Sequence, residues 1–78
     1  MDIQNLIKMA NQIGAFFASY PDAQEASSEI ANHLKKFWAP GMRKLLLDHV
    51  DVNHGDGLDA IVLSAIHTHR RALEPSTC

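Results

Sequence analysis

The chain has 78 residues, nine acidic and seven basic side chains, a net charge of −2 with histidines neutral, and 46% apolar residues. That is enough for one small domain, near the lower limit for a core without staples. No apolar run approaches the roughly 20 residues of a spanning helix, and the charge balance excludes the dense positive field of non-specific nucleic-acid binding.

The first element runs from about Ile3 to Ala18. Ile3, Leu6, Ile7, Ala10, Ile13 and Phe17 recur at three- and four-residue spacing, behind Asp2 as N-cap. Met9, Phe16, Ile13 and Tyr20 form a second apolar row, so this helix is either sandwiched between neighbours or offers a face to another chain. Tyr20-Pro21-Asp22 breaks it, because proline cannot continue the ladder.

The second element runs from about Pro21 to Trp38, with Ala23, Ala26, Ile30, Leu34 and Phe37 inward. Asp22 and Glu25 approximate a capping box, and acids early with Lys35 and Lys36 late suit the helix dipole. Trp38 falls at the corner, where it either closes the core or meets a partner. Pro40 suits the first position of a third helix reaching about Val50, with Met42, Leu45, Leu46, His49 and Val50 as its stripe and Leu47 on its polar side.

Residues 51–57 form a loop rich in Asp, Asn and Gly. Asp56 is placed to cap a fourth helix whose stripe is Leu58, Ile61, Val62, Ala65, Ile66, His69 and Leu73, with Leu63 on its polar side. No segment alternates with period two. The expected architecture is an all-α bundle of four short amphipathic helices, a single helical domain over 1–74 with a frayed tail at 75–78, and short connections favour antiparallel neighbours. Cys78 is the one cysteine, which precludes an internal disulfide and agrees with a reducing, cytoplasmic setting. The opening Met-Asp-Ile-Gln-Asn lacks the basic and apolar regions of a secretion signal.

The five histidines do not assemble a ligand set by spacing. His67 and His69 diverge on a helix, and His49 and His54 with Asp51 and Asp56 match no structural zinc pattern. The same loop fails as a calcium loop: its sixth position is Asp56 rather than glycine, and its twelfth is Val62 rather than glutamate. Glu29 and His33 make an ordinary helical pair with no nucleophile signalled beside them. No catalytic or metal-binding residue is therefore assigned.

Two dense blocks carry a family resemblance. They are Asn5-Leu6-Ile7-x-Met9-Ala10-Asn11-Gln12-Ile13-Gly14-x-Phe16-Phe17 and Ile30-Ala31-x-His33-Leu34-x-x-Phe37-Trp38-x-Pro40-x-Met42-Arg43, supported by Leu46-Leu47-x-His49-Val50 and Gly57-Leu58. Over about Asn5 to Ile66 the chain resembles the delta subunit of soluble NAD-dependent formate dehydrogenases. The resemblance implies a non-catalytic accessory subunit that binds the large molybdenum and iron–sulfur subunit and supports its assembly, cofactor insertion or stability. The molybdenum cofactor, iron–sulfur clusters and flavin then belong to partner subunits, with no cofactor in this chain. Carried onto this sequence, the partner-contact residues are Asn11, Gln12, His33, Trp38, Pro40, Met42 and Arg43, Trp and Arg being frequent interface anchors.

Two other readings rest on the residues. A chaperone-like protein could grip the bis-guanine-dinucleotide molybdenum cofactor, with its phosphates on helix N-termini beside Arg43 and Lys44. A helix-turn-helix regulator would use the sharp turn before the third helix, yet that helix sets only Arg43 and Lys44 against Asp48. A surplus apolar face also permits self-association of the isolated chain.

Overall fold

The computed structural model describes residues 2–75, and within them there are five helices and no strand. They are α1 (Ile3–Phe17), α2 (Ala23–Phe37), α3 (Pro40–Asn53), α4 (Ala60–Thr68) and the single turn α5 (Arg70–Leu73). The expected all-α bundle is thus present, with the fourth helix divided at His69. Residues 76–78 of the expected tail, Cys78 included, lie outside the described residues.

The first two helices begin where the sequence signals them. The side chains of Asp2 and Asp22 accept hydrogen bonds from the backbone N–H of Gln4 (3.1 Å) and Gln24 (2.9 Å), satisfying donors that a helix start leaves open. α2 ends when Trp38 turns extended, its own N–H still donating to the Leu34 carbonyl at 3.0 Å. Pro40 then opens α3, a position where its missing N–H costs nothing.

α3 runs three residues further than expected. It closes with His54 in the left-handed region and the Gly55 N–H bonded to the His49 carbonyl at 3.3 Å. Gly55 and Gly57 also have positive φ, so three of four consecutive turn residues occupy conformations that glycine or asparagine adopt most easily. This delays α4: Asp59, not Asp56, is its N-cap, and Leu58 is buried ahead of the helix instead of within it.

The core unites Leu6, Ile30, Leu34, Leu46, Val62 and Ile66, all almost wholly buried, with Leu73 of α5 beneath them. α2 packs most closely on α4, and α1 touches α2, α3 and α4. Small side chains at Ala26, Ser27, Ala31 and Ala65 let α2 and α4 approach. The expected pairing of consecutive helices fails both for α2 with α3 and for α3 with α4, which barely meet because the corner directs α3 against α1. At the α1–α4 crossing Gly14 is buried, and a Cβ there would lie 2.6 Å from Val62 Cγ2 and 3.2 Å from Ile61 Cγ2. That approach needs glycine in mid-helix despite its poor propensity.

The inward stripes need four corrections. Ala23 is exposed because it opens α2 beyond the reach of the core. Phe37 is exposed because the buried sector of α2 centres on Ser27, Ile30 and Leu34, leaving Phe37 at its border above His33. On α3 the buried sector is turned toward Leu46, Leu47 and Val50, so Leu47 is core and Leu45 is partly exposed. Three consecutive leucines give periodicity no means of choosing between these settings.

Arg70 fastens α5 to the end of α3. Its guanidinium holds both Asp51 carboxylate oxygens at 2.9 and 2.8 Å and donates from Nε to Glu74 at 3.3 Å. The Asp51 hydrogen bonds, more than any other cause, raise the arginine pKa above its ordinary value. The fork geometry is favourable, but the site is partly open to water, which limits the pair to about 1 kcal/mol or less.

Candidate functional site

The second apolar row of α1 does not find full cover within the chain. Met9, Ile13 and Phe16 form one wall of a groove of about 550 Å³, with Phe37 and His33 of α2 opposite and Trp38 and Met42 at the corner end. Phe16 and Phe37 stand 70% and 71% exposed on its rims, while Trp38 is 5% exposed and fills the space below. The aromatic side chains interlock. Phe17 lies edge-on to Phe16 (centroids 4.9 Å) and Tyr20 (5.3 Å), and His33 stacks at a tilt on Phe37 (4.7 Å). Such contacts hold the rims in place without removing them from water. The polar groups on the lining are Gln12 and the His33 ring.

An open apolar groove with fixed aromatic rims is a surface suited to receiving another apolar surface. The family model for NADH-dependent formate dehydrogenase delta subunit FdsD matches residues 5–66, which include every residue of this groove. The chain belongs to that family. No curated protein and no solved structure matches it. As a formate dehydrogenase delta subunit, it comes from a family defined by membership in an enzyme of several chains.

The structure gathers four of the seven residues expected at a partner contact. Gln12, His33, Trp38 and Met42 line the groove, with Trp38 contributing an edge above its buried body. Pro40 is exposed at the start of α3, next to the groove but not on its lining. Arg43 projects to the other side of the corner, where Nη1 reaches the Leu73 carbonyl at 3.4 Å. Asn11 is occupied internally: its amide donates to the Gly57 carbonyl and accepts from the Asp59 N–H, both at 2.9 Å. One side chain thereby secures the turn and caps α4, whose own Asp59 makes no side-chain cap bond.

The groove rims were only half visible in the sequence. The row of Met9, Ile13 and Phe16 is periodic, but Phe37 carries no sign that it lies outside the core. The histidines are dispersed. His49 is buried in α3 within 2.7 Å of the Asp56 carbonyl, which can only accept, so its proton sits on Nε2 and Nδ1 faces the Asn53 amide at 3.3 Å. His69 marks the break after α4, with Nε2 3.5 Å from the Ser28 hydroxyl. Among the described residues no three His, Cys, Asp or Glu side chains converge as a ligand set, and no helix is long and apolar enough to cross a membrane.

Proposed function

We propose that this chain is a non-catalytic accessory subunit of a cytoplasmic NAD-dependent formate dehydrogenase. It docks on the large molybdenum and iron–sulfur subunit and supports that subunit's assembly, cofactor insertion or stability. The observation that carries the reading is the groove between α1, α2 and the corner, in a chain whose family is a subunit of that enzyme. Burying a phenylalanine side chain is worth roughly 1.5–3 kcal/mol, and Phe16 and Phe37 leave most of that unrealised. The occupant is an apolar segment of the large subunit, its side chains seated over Trp38 and Met42 and oriented by Gln12 and His33.

In this reading the cofactors of the reaction belong to the partner chains. The described residues contain no cysteine, so they supply no thiolate for an iron–sulfur cluster. The delta subunit acts instead by binding: a partner that binds only the folded large subunit stabilises it by mass action.

Native mass spectrometry of the tagged chain co-expressed with the large subunit tests this. The unaltered chain should form a complex. The double variant Phe16→Ser with Phe37→Ser should weaken that complex roughly tenfold or more, while Val52→Ser, at an exposed position outside the groove, should retain it. Equal binding by all three chains moves the contact elsewhere, and absence of any complex overturns the reading.

A further inference from the structure

On the side of the corner away from the groove, α2, α3 and α5 border a second, open cleft of about 540 Å³. Lys35, Arg43 and Arg71 line it, one cation from each helix, with Glu74 as the acid on its edge. The chain has seven lysines and arginines. Lys44 and Arg70 hold carboxylates. The other five are Lys8, Lys35, Lys36, Arg43 and Arg71, none with an acidic partner among the described residues, and three of these share this one cleft. Glu74 offsets at most one of the three charges, since Arg70 is already matched by Asp51, so the cleft keeps a net positive charge.

Arg43 singles the cleft out from an ordinary solvated face. Its Nε is buried and has no hydrogen-bond partner, and the guanidinium is held only by the long bond from Nη1 to the Leu73 carbonyl. A buried donor on a charged group left without an acceptor is unfavourable, and three like charges in one recess repel. A small swing of the guanidinium into the cleft, toward an anion, would relieve both conditions.

We infer that Lys35, Arg43 and Arg71 form a binding site for a phosphate group. Two guanidinium forks and an ammonium match the several oxygens and double negative charge of phosphate, whereas a single carboxylate leaves most of the positive charge uncompensated. The phosphate can be inorganic or part of a nucleotide. The site is independent of the groove, so it stands or falls on the isolated chain whatever docks on the rims.

The test is an NMR titration of the full chain with inorganic phosphate, ADP and adenosine, following the Arg43 and Arg71 Nε–Hε resonances and the lysine ammonium-linked carbons. Saturable shifts at Lys35, Arg43 and Arg71, with Lys8 and Lys44 unmoved, are expected for phosphate and ADP, and none for adenosine. Tighter binding of ADP than of phosphate identifies a nucleotide as the source; equal binding identifies the phosphate group alone. Lys35→Ala and Arg71→Ala alter exposed side chains and should leave the fold intact while each weakens binding about tenfold. Shifts that never saturate, that spread over all the basic residues, or that persist in both variants overturn the site.

Discussion

The turn at residues 54–59 and the groove beside the corner are both built against α1, yet they use that helix in opposite ways. At the turn, Asn11 satisfies a carbonyl and an N–H, His49 bonds Asp56, and Gly14 brings α4 into direct contact. The polar groups named there have partners and the approach leaves no room for a methyl. At the groove the same helix presents Met9, Ile13 and Phe16 to open space, with Phe37 exposed opposite. The first region is completed by the chain's own residues. The second holds aromatic surface whose burial would stabilise a complex and contributes little to the monomer. Side chains of the turn should therefore govern stability and those of the rims should govern association.

Trp38 is the buried end of the groove, and its replacement should have the largest effect. Trp38→Ala removes a side chain with 5% exposure and should cost about 3–5 kcal/mol in urea unfolding, a large share of the roughly 5–15 kcal/mol available to a domain. A cost near that of a surface substitution would reassign Trp38 from core to rim. Next comes Asn11→Ala, which leaves the Gly57 carbonyl and the Asp59 N–H without their partner. It should destabilise by about 2 kcal/mol without weakening the complex with the large subunit once allowance is made for unfolded chain. If affinity falls more than stability does, Asn11 belongs to the contact surface after all. Smallest is the double change Phe16→Ser with Phe37→Ser, expected to move the isolated chain's stability by no more than about 0.5 kcal/mol per site. A large loss there would show the rims to be core and erase the contrast.

Much of this fold could be read from local chemistry. Asp2, Asp22 and Pro40 start helices because a short acceptor or a missing N–H meets a need that exists within three residues. What escaped was decided by distance. Asn11 meets its partners 46 and 48 residues away, and no spacing announces that. Asp56 and Asp59 are equally good caps by type, and the left-handed turn that contains Asp56 selects the later one. Phe37 shares the periodicity of Ile30 and Leu34, but the corner after it gives the core position to Trp38. The groove could be read in part, through the second row of α1, because a row with no counterpart in a short chain has to face something. The cleft at Arg43 could not, since Lys35, Arg43 and Arg71 come from three helices.

The Asn11 clamp has a consequence for how the molecule holds together in time. α4 has nine residues, fewer than the roughly 12–15 at which a helix becomes marginally stable alone. Its first turn depends on an amide supplied by α1. α4 is therefore helical only while docked, on α2 along its length and on α1 at its first turn, and the three should open as one cooperative unit, so that amide protons of Val62 and Ile66 exchange with solvent at the same rate as those of Ile30 and Ala10.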